Sequence, residues 1–175
     1  NLINFAKMIK VRRFLKAEQK DEIKVCFIGS SGVGKTSIFA NICYDIEDNN
    51  GIGRKSVLRY AHEKEEGITS SVINEILGVK GDKVLNYADF SDSEWENIYK
   101  NSEKIINIVD IPGDQKYFKT GYYGFLSQKP DYCVFVFSSD IKYDKDFYKT
   151  YYELVQELDI KIAVIFNKWN FKNKL

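Results

Sequence analysis

A chain of 175 residues suits one domain, and 44% apolar residues are enough to bury a core. Its 26 basic and 25 acidic residues nearly cancel, so no overall field draws it to nucleic acid or to an acidic substrate. No apolar run approaches the ~20 residues of a membrane span, and the mixed start has no signal-peptide core. Cys26, Cys43 and Cys133 are odd in number, far apart and without metal spacing. They are expected as buried, reduced thiols in a cytoplasmic setting. The sequence starts at Asn1 rather than Met, so a fragment or a processed chain is expected.

Residues 1–20 place Leu2, Phe5 and Ile9 at helical spacing among Lys7, Lys10, Arg12, Arg13, Lys16 and Lys20. This predicts a basic helical extension packed by its apolar stripe, with contact to RNA or a membrane as the alternative. Ile23 to Ile28 (IKVCFI) is a short β-branched run of the kind buried in parallel sheets. A Gly-rich loop follows, then a helix through about Tyr44. The polar stretch 45–68 is expected to be mostly loop. Residues 69–79 predict a strand and one arm of a hairpin turning at Lys80-Gly81-Asp82. A short helix is expected over 91–102, capped by Ser91 or Ser93. Lys104 to Val109 and Tyr132 to Ser138 read as buried strands. Phe147, Tyr151, Leu154 and Leu158 form a helical stripe, and Ile160 to Phe166 is the last strand, running into Asn167. Alternating strands and helices imply βαβ units and an open, mostly parallel α/β sheet flanked by helices.

Gly29-Ser30-Ser31-Gly32-Val33-Gly34-Lys35-Thr36 is a complete GxxxxGK[ST] motif between a strand and a helix. Such a P-loop cradles phosphates on its backbone N–H groups and at the helix N-terminus. Ser31, Gly32, Val33, Gly34 and Ser37 are therefore candidate phosphate contacts. Lys35 reaches the β- and γ-phosphates, and the Thr36 hydroxyl ligates Mg²⁺. Asp110-Ile111-Pro112-Gly113 closes a buried strand, where open α/β sheets place ligands. Asp110 is expected to hold Mg²⁺ through water, and the Gly113 N–H to meet the γ-phosphate. Between these motifs, Thr69 is placed to complete the Mg²⁺ shell when a triphosphate is bound. Residues 45–70 would then be a segment that orders with that ligand.

Asn167-Lys168-Trp169-Asn170 resembles the guanine-reading NKxD, with Asn170 where Asp is expected. An amide offers one acceptor where guanine presents two donors. The mismatch costs roughly 1–3 kcal/mol, so weaker guanine selectivity and a relative gain for xanthine nucleotides are expected.

The stretch Gly67–Gly78 (GITSSVINEILG), preceded by Arg59-Tyr60-Ala61-His62-Glu63, resembles the switch region of the GTP-binding protein 1/2 group. These are translational GTPases related to elongation factors 1-alpha and Tu. Ser93-Glu94-Trp95, Asn101-Ser102-Glu103-Lys104 and Lys129-Pro130-Asp131-Tyr132-Cys133 fit the same group. Gly113-Asp114-Gln115-Lys116-Tyr117-Phe118-Lys119-Thr120 is similar to its Gly-His-Glu-Lys-Tyr-Leu-Lys-Thr. Over residues 20–170 the resemblance implies a Ras-like G domain, spanning 21–175, that binds GTP or GDP with Mg²⁺ and contacts ribosomes or RNA. Asp114 stands where the group has its catalytic histidine, and Gln115 lies one residue beyond the small-GTPase glutamine. A carboxylate can orient water but repels a γ-phosphate, so slow hydrolysis is expected from Asp114, Gln115, Thr69 and Lys35. The phosphate loop itself is closer to a Rab-type small GTPase.

Three readings stand at this point. The first is a GTPase switch with a low intrinsic rate. The second is a degenerate G domain acting as a nucleotide-binding interaction module. The third is a non-guanine P-loop ATPase or kinase. His62 is expected on a loop surface without a catalytic role. A Ras-like sheet has a further strand beside the one ending at Asn167, so missing chain, a second copy or a protein partner is expected along IKIAVIF.

Overall fold

The computed structural model describes residues 20–92 and 94–169. Six strands form one sheet in the order β3-β2-β4-β1-β5-β6. They are β1 (Asp21–Ile28), β2 (Ile73–Lys80), β3 (Lys83–Leu85), β4 (Lys104–Asp110), β5 (Tyr132–Ser138) and β6 (Lys161–Asn167). β1 lies between β4 and β5, parallel to both, and β6 extends the sheet parallel to β5. β2 runs antiparallel to β4 and to its hairpin partner β3. The β-branched centre of β1 is in register with that of β4, Val25 opposite Ile108. The strands β1, β4, β5 and β6 therefore end together at one edge, where the motif-bearing loops emerge. This is the mostly parallel α/β architecture expected of a P-loop G domain.

Among the described residues six helices accompany the sheet: α1 (Lys35–Tyr44), α2 (Ile52–Val57), α3 (Ala61–Glu66), α4 (Trp95–Asn101), α5 (Phe118–Gln128) and α6 (Lys145–Glu157). One face of the sheet packs Phe27 and Ile108 against Phe39, Ala40 and Cys43 of α1, with Val57 and Leu58 behind them. The other face packs Cys26 and Val109 against Phe125 of α5 and Phe147, Tyr151 and Val155 of α6. The three cysteines are free and buried. Burial pushes the Cys26 and Cys43 thiols up to about 12 and the Cys133 thiol higher still, so all three stay protonated core groups. Among the described residues no helix is long and apolar enough to cross a membrane.

Several expectations need correction. The stretch 45–68 is not mostly loop: a 3₁₀ turn (Asn49–Gly51), α2 and α3 occupy it. Its polarity reflects helices that expose most of their side chains, while Val57, Leu58 and Glu63 are buried. Helix α5 was not anticipated, because its sequence FKTGYYGFLSQ carries two glycines and no clear stripe. In α6 the buried residues are Phe147, Tyr148, Tyr151 and Val155, and Leu158 lies beyond the helix and is 49% exposed. α4 begins after Glu94, not after Ser91; Ser93 lies outside the described residues. β1 is buried only in its C-terminal half. β6 is the edge strand of the sheet, with Ile162, Val164 and Phe166 exposed. The basic segment 1–19 and Asn170 also lie outside the described residues.

Candidate functional site

The loop leaving β1 is held by its carbonyls. Lys35 Nζ donates to Gly29 O at 2.8 Å and to Ser30 O at 3.4 Å. Lys168 Nζ donates to Gly32 O at 3.0 Å, and Asn167 Nδ2 to Val33 O at 2.9 Å. The Tyr148 hydroxyl from α6 accepts from the Ser30 N–H at 3.3 Å and donates to Val136 O at 2.6 Å, tying the loop to β5. Gly34 turns the chain into α1 at φ 93°, a conformation L side chains rarely adopt, and a Cβ there would run into the Asn167 amide. Gly113, after β4, lies so close to Gly29 O and Lys35 Nζ that a side chain would displace one of them.

Beneath the loop lies a corner of oxygen ligands. The Thr36 hydroxyl donates to Asp110 Oδ2 at 2.6 Å and pairs with the Thr69 hydroxyl at 2.7 Å. Asp110 is fully buried, and its second oxygen, Oδ1, has no hydrogen-bond partner among the described residues. A buried carboxylate oxygen left unpaired is costly, which marks a place for a water or an ion. The donors are two hydroxyls and one carboxylate, all hard oxygens of the kind Mg²⁺ takes alongside waters and phosphates. Among the described residues no three His, Cys, Asp or Glu side chains converge, so a dedicated all-protein metal cage is not formed there. The residues present thus fit a Mg²⁺ held jointly with phosphate. Burial lowers the Lys35 ammonium below its ordinary range and raises Asp110 above the usual carboxylate range; each charge partly offsets the shift of the other.

Of the groups described above, Lys35, Thr36, Thr69, Gly113 and Lys168 line a cavity of about 270 Å³, while Asp110, Val33 and Asn167 lie behind its lining residues. The loop and first turn of α1 contribute Ser31, Gly32, Gly34, Lys35, Thr36 and Ser37 to its lining, and Thr69, Gly113, Asp114 and Lys168 join them. Asp114 Oδ1 accepts the Lys116 N–H at 2.9 Å, capping the 3₁₀ turn that leads into α5. Gln115 is not brought to the cavity: its amide donates to Asp144 Oδ2 at 2.8 Å, at the N-terminus of α6. Lys168 is also paired with Asp140 at 3.0 Å.

Four residues escaped the sequence reading. Asp48 and Arg54 line the cavity and are paired at 3.7 Å. The Asp48 carboxylate, which also accepts from the Ser37 hydroxyl, sits below its ordinary range: burial opposes this, but that bond, the Arg54 N–H and the Arg54 charge outweigh it. Nothing in a charged stretch distinguishes this pair. Tyr148 is one of 12 tyrosines and carries no local signal. Glu63 had one. It stands three residues after Tyr60, at the spacing of a helix-capping glutamate. Glu63 is fully buried. Its Oε2 accepts the N–H groups of Arg59 and Tyr60, each at 3.1 Å. Its Oε1 accepts the Ser70 N–H at 2.8 Å, the Ser71 N–H at 3.0 Å and both serine hydroxyls. One carboxylate therefore clamps the chain on either side of α3 and fixes the backbone next to Thr69. His62 pairs with Ser70 at 2.9 Å on the surface, next to this clamp.

A family model described as Elongation factor Tu GTP binding domain matches residues 20–172. The chain belongs to this family. GTP-binding protein 1 of Xenopus laevis is 33% identical over 123 residues, which is 68% of this chain and 19% of that protein. GTP-binding protein 2 of Mus musculus and of Homo sapiens are each 30% identical over 135 residues, 75% of this chain and 22% of theirs. The chain thus spans about a fifth of the length of these curated relatives. The solved S. cerevisiae Ski7 GTPase-like domain, bound to GDP and inorganic phosphate, overlays 80% of this chain and 29% of its own with a TM-score of 0.50 at 15% identity. That likeness agrees with the fold.

The clamp carries a stability prediction. Burial works against the charged form of Glu63, but the bonds from Ser70, Tyr60 and Ser71 prevail and hold its carboxyl at about 2, below the ordinary 4.5. A lowered carboxyl stabilises the fold above its unfolded value and loses that contribution as pH falls through the folded one. Urea denaturation should show Glu63→Gln less stable than wild type at pH 7 by on the order of 3 kcal/mol. The gap should close between about pH 4.5 and pH 2. A gap that does not change with pH would contradict the clamp.

Proposed function

We propose that this chain is a guanine-nucleotide switch domain that binds GTP or GDP with Mg²⁺ in the cytoplasm and hydrolyses GTP slowly. The observation that carries the reading is the convergence of four loops from one sheet edge. The phosphate loop, the Thr69 segment, Asp110–Gly113 and Asn167-Lys168 all meet at the loop carbonyls or the Thr36–Asp110 corner. In this reading the loop N–H groups and Lys35 bind the phosphate chain. Thr36, Thr69 and Asp110 hold Mg²⁺, with Asp110 acting through water. The bound ion would supply charge neutralisation across the β- and γ-phosphates. Asn167 and Lys168, fixed against Val33 and Gly32, would frame the base next to the phosphate loop; the sequence motif assigns its Watson–Crick edge to Asn170, which lies outside the described residues. Contact with ribosomes or RNA is the partner class that the family resemblance supports.

Turnover is expected to be weak. In-line attack needs a group that orients water without repelling the phosphate. Asp114 brings a carboxylate to the cavity lining, and Gln115 is engaged with Asp144. A degenerate domain used as an interaction module is the second reading, and it is the same Asp114 and Gln115 geometry that favours it.

Two measurements test this. In competition binding, GDP should displace a fluorescent nucleotide far better than ADP, and XDP should compete within about tenfold of GDP, the size of one lost or gained hydrogen bond. Undiminished GDP selectivity over XDP would remove the role given to Asn170, and preferential ADP binding would overturn the guanine reading. In single-turnover phosphate release, wild type should be slow and Asp114→His faster by about tenfold or more, the scale of general-base catalysis. Fast wild-type turnover, unchanged or slowed by the histidine, would contradict the role of Asp114.

A further inference from the structure

The nucleotide cavity has three cationic side chains on its lining, Lys35, Arg54 and Lys168. Lys35 donates to the loop carbonyls and is the phosphate-chain lysine of the reading above, and Lys168 is engaged by Gly32 O and Asp140. Arg54 differs. It rises from the short helix α2, on the segment between α1 and Thr69. Its backbone N–H donates to Asp48 Oδ1 at 3.2 Å, and Nε faces Asp48 Oδ2 at 3.7 Å, too long for a hydrogen bond. Nε is buried without a hydrogen-bond partner, and the guanidinium as a whole makes none among the described residues. The guanidinium lies where a side chain on Gly51 would otherwise sit, and near Gly67, two residues before Thr69. Its side chain is 42% exposed, and the exposed part opens on the cavity. An arginine whose guanidinium has one long ion pair and no hydrogen bond, at the lining of a phosphate cavity, is placed to use a rigid fork on phosphate oxygens.

Resting on the guanine-nucleotide reading, we infer that Arg54 is an arginine supplied in cis that binds the phosphate chain more strongly in the transition state of hydrolysis than in the ground state. Asp114 adds a carboxylate to the same cavity lining, and charge builds on the phosphoryl oxygens as the bond to the leaving group breaks. A cation on the same cavity offsets both. Water attacks the γ-phosphorus and gives its proton to the phosphate being released, the bond to the β–γ bridging oxygen breaks, and that oxygen keeps the electron pair; Arg54 donates to the oxygens on which the charge accumulates. Asp48 is the positioning residue. By accepting from the Arg54 backbone N–H and the Ser37 hydroxyl, and by its charge 3.7 Å from Nε, it links the arginine to the first turn of α1.

The test uses GDP with aluminium fluoride, a mimic of the transferring phosphoryl group, together with single-turnover GTP hydrolysis. Wild type should take up the fluoride complex with GDP and Mg²⁺ without a partner protein. Arg54→Ala should bind GDP within about threefold of wild type, since the contact strengthens only in the transition state. It should lose uptake of the complex and slow hydrolysis by about tenfold or more. Arg54→Lys should rescue neither, because an ammonium lacks the fork. Wild type that binds GDP but not the fluoride complex would overturn the inference, as would Arg54→Ala that retains uptake, or whose GDP affinity falls by the same factor as its hydrolysis. Wild type that binds no guanine nucleotide would instead overturn the function proposed above, and the inference with it.

Discussion

The site depends on one constraint: the carbonyls of the loop between β1 and α1 are turned outward and held there. Lys35, Lys168 and Asn167 each donate to a carbonyl of Gly29, Gly32 or Val33. Two of these donors come from the end of β6, more than 130 residues away in sequence. With the acceptors engaged from behind, the donors of the loop are left for an anion at the start of α1, where the helix dipole already favours one. The sheet makes this affordable. Because β1 sits between β4 and β5, the Asp110 and Asn167 segments reach the same loop from its two sides. Pinning a flexible glycine loop in advance removes ordering entropy that binding would otherwise cost.

The segment between α1 and β2 adds a second layer of control. Thr69 meets Thr36 only because residues 70–71 are fixed, and they are fixed by the buried Glu63 carboxylate. Asp48 and Arg54 tie the other end of the segment to Ser37. Both anchors are electrostatic, with few apolar side chains buried beneath. Such a segment opens at lower cost than the sheet does. It therefore suits a part of the chain proposed to respond to a ligand, while the β1–β4–β5 core stays fixed.

Much of this was legible in the sequence, for reasons that differ by element. The phosphate loop and Asp110–Gly113 were readable because the glycines and the strand-end position are dictated by local backbone geometry. The buried strands β4 and β5 announced themselves as β-branched runs. Two kinds of feature were not readable. Helices α2 and α3 are short and mostly exposed, and they bury one carboxylate rather than an apolar stripe, so a search for periodic hydrophobicity passes over them. Helix α5 has its stripe broken by Gly121 and Gly124, where it packs closely against Tyr151 and Val72. Arg54, Asp140 and Tyr148 act through contacts that only the folded chain brings together. Gln115, expected near the reacting atoms, is drawn off by Asp144, a partner 29 residues away that no local pattern reveals.

The central claim is that the shape of this loop, held by Lys35, Asn167 and Lys168, is what grips a diphosphate. Calorimetric titration of the Mg²⁺-supplied protein with GDP and with GMP, repeated on Gly34→Ala, tests it most directly. The account predicts that GDP binds and that GMP, lacking the β-phosphate, is weaker by about a hundredfold or more, a difference of roughly 2.7 kcal/mol. It also predicts that Gly34→Ala, strained at φ 93° and crowded by Asn167, removes that difference in a protein that stays folded. Equal affinity for GDP and GMP, or a Gly34→Ala protein that binds GDP as wild type does, would contradict it.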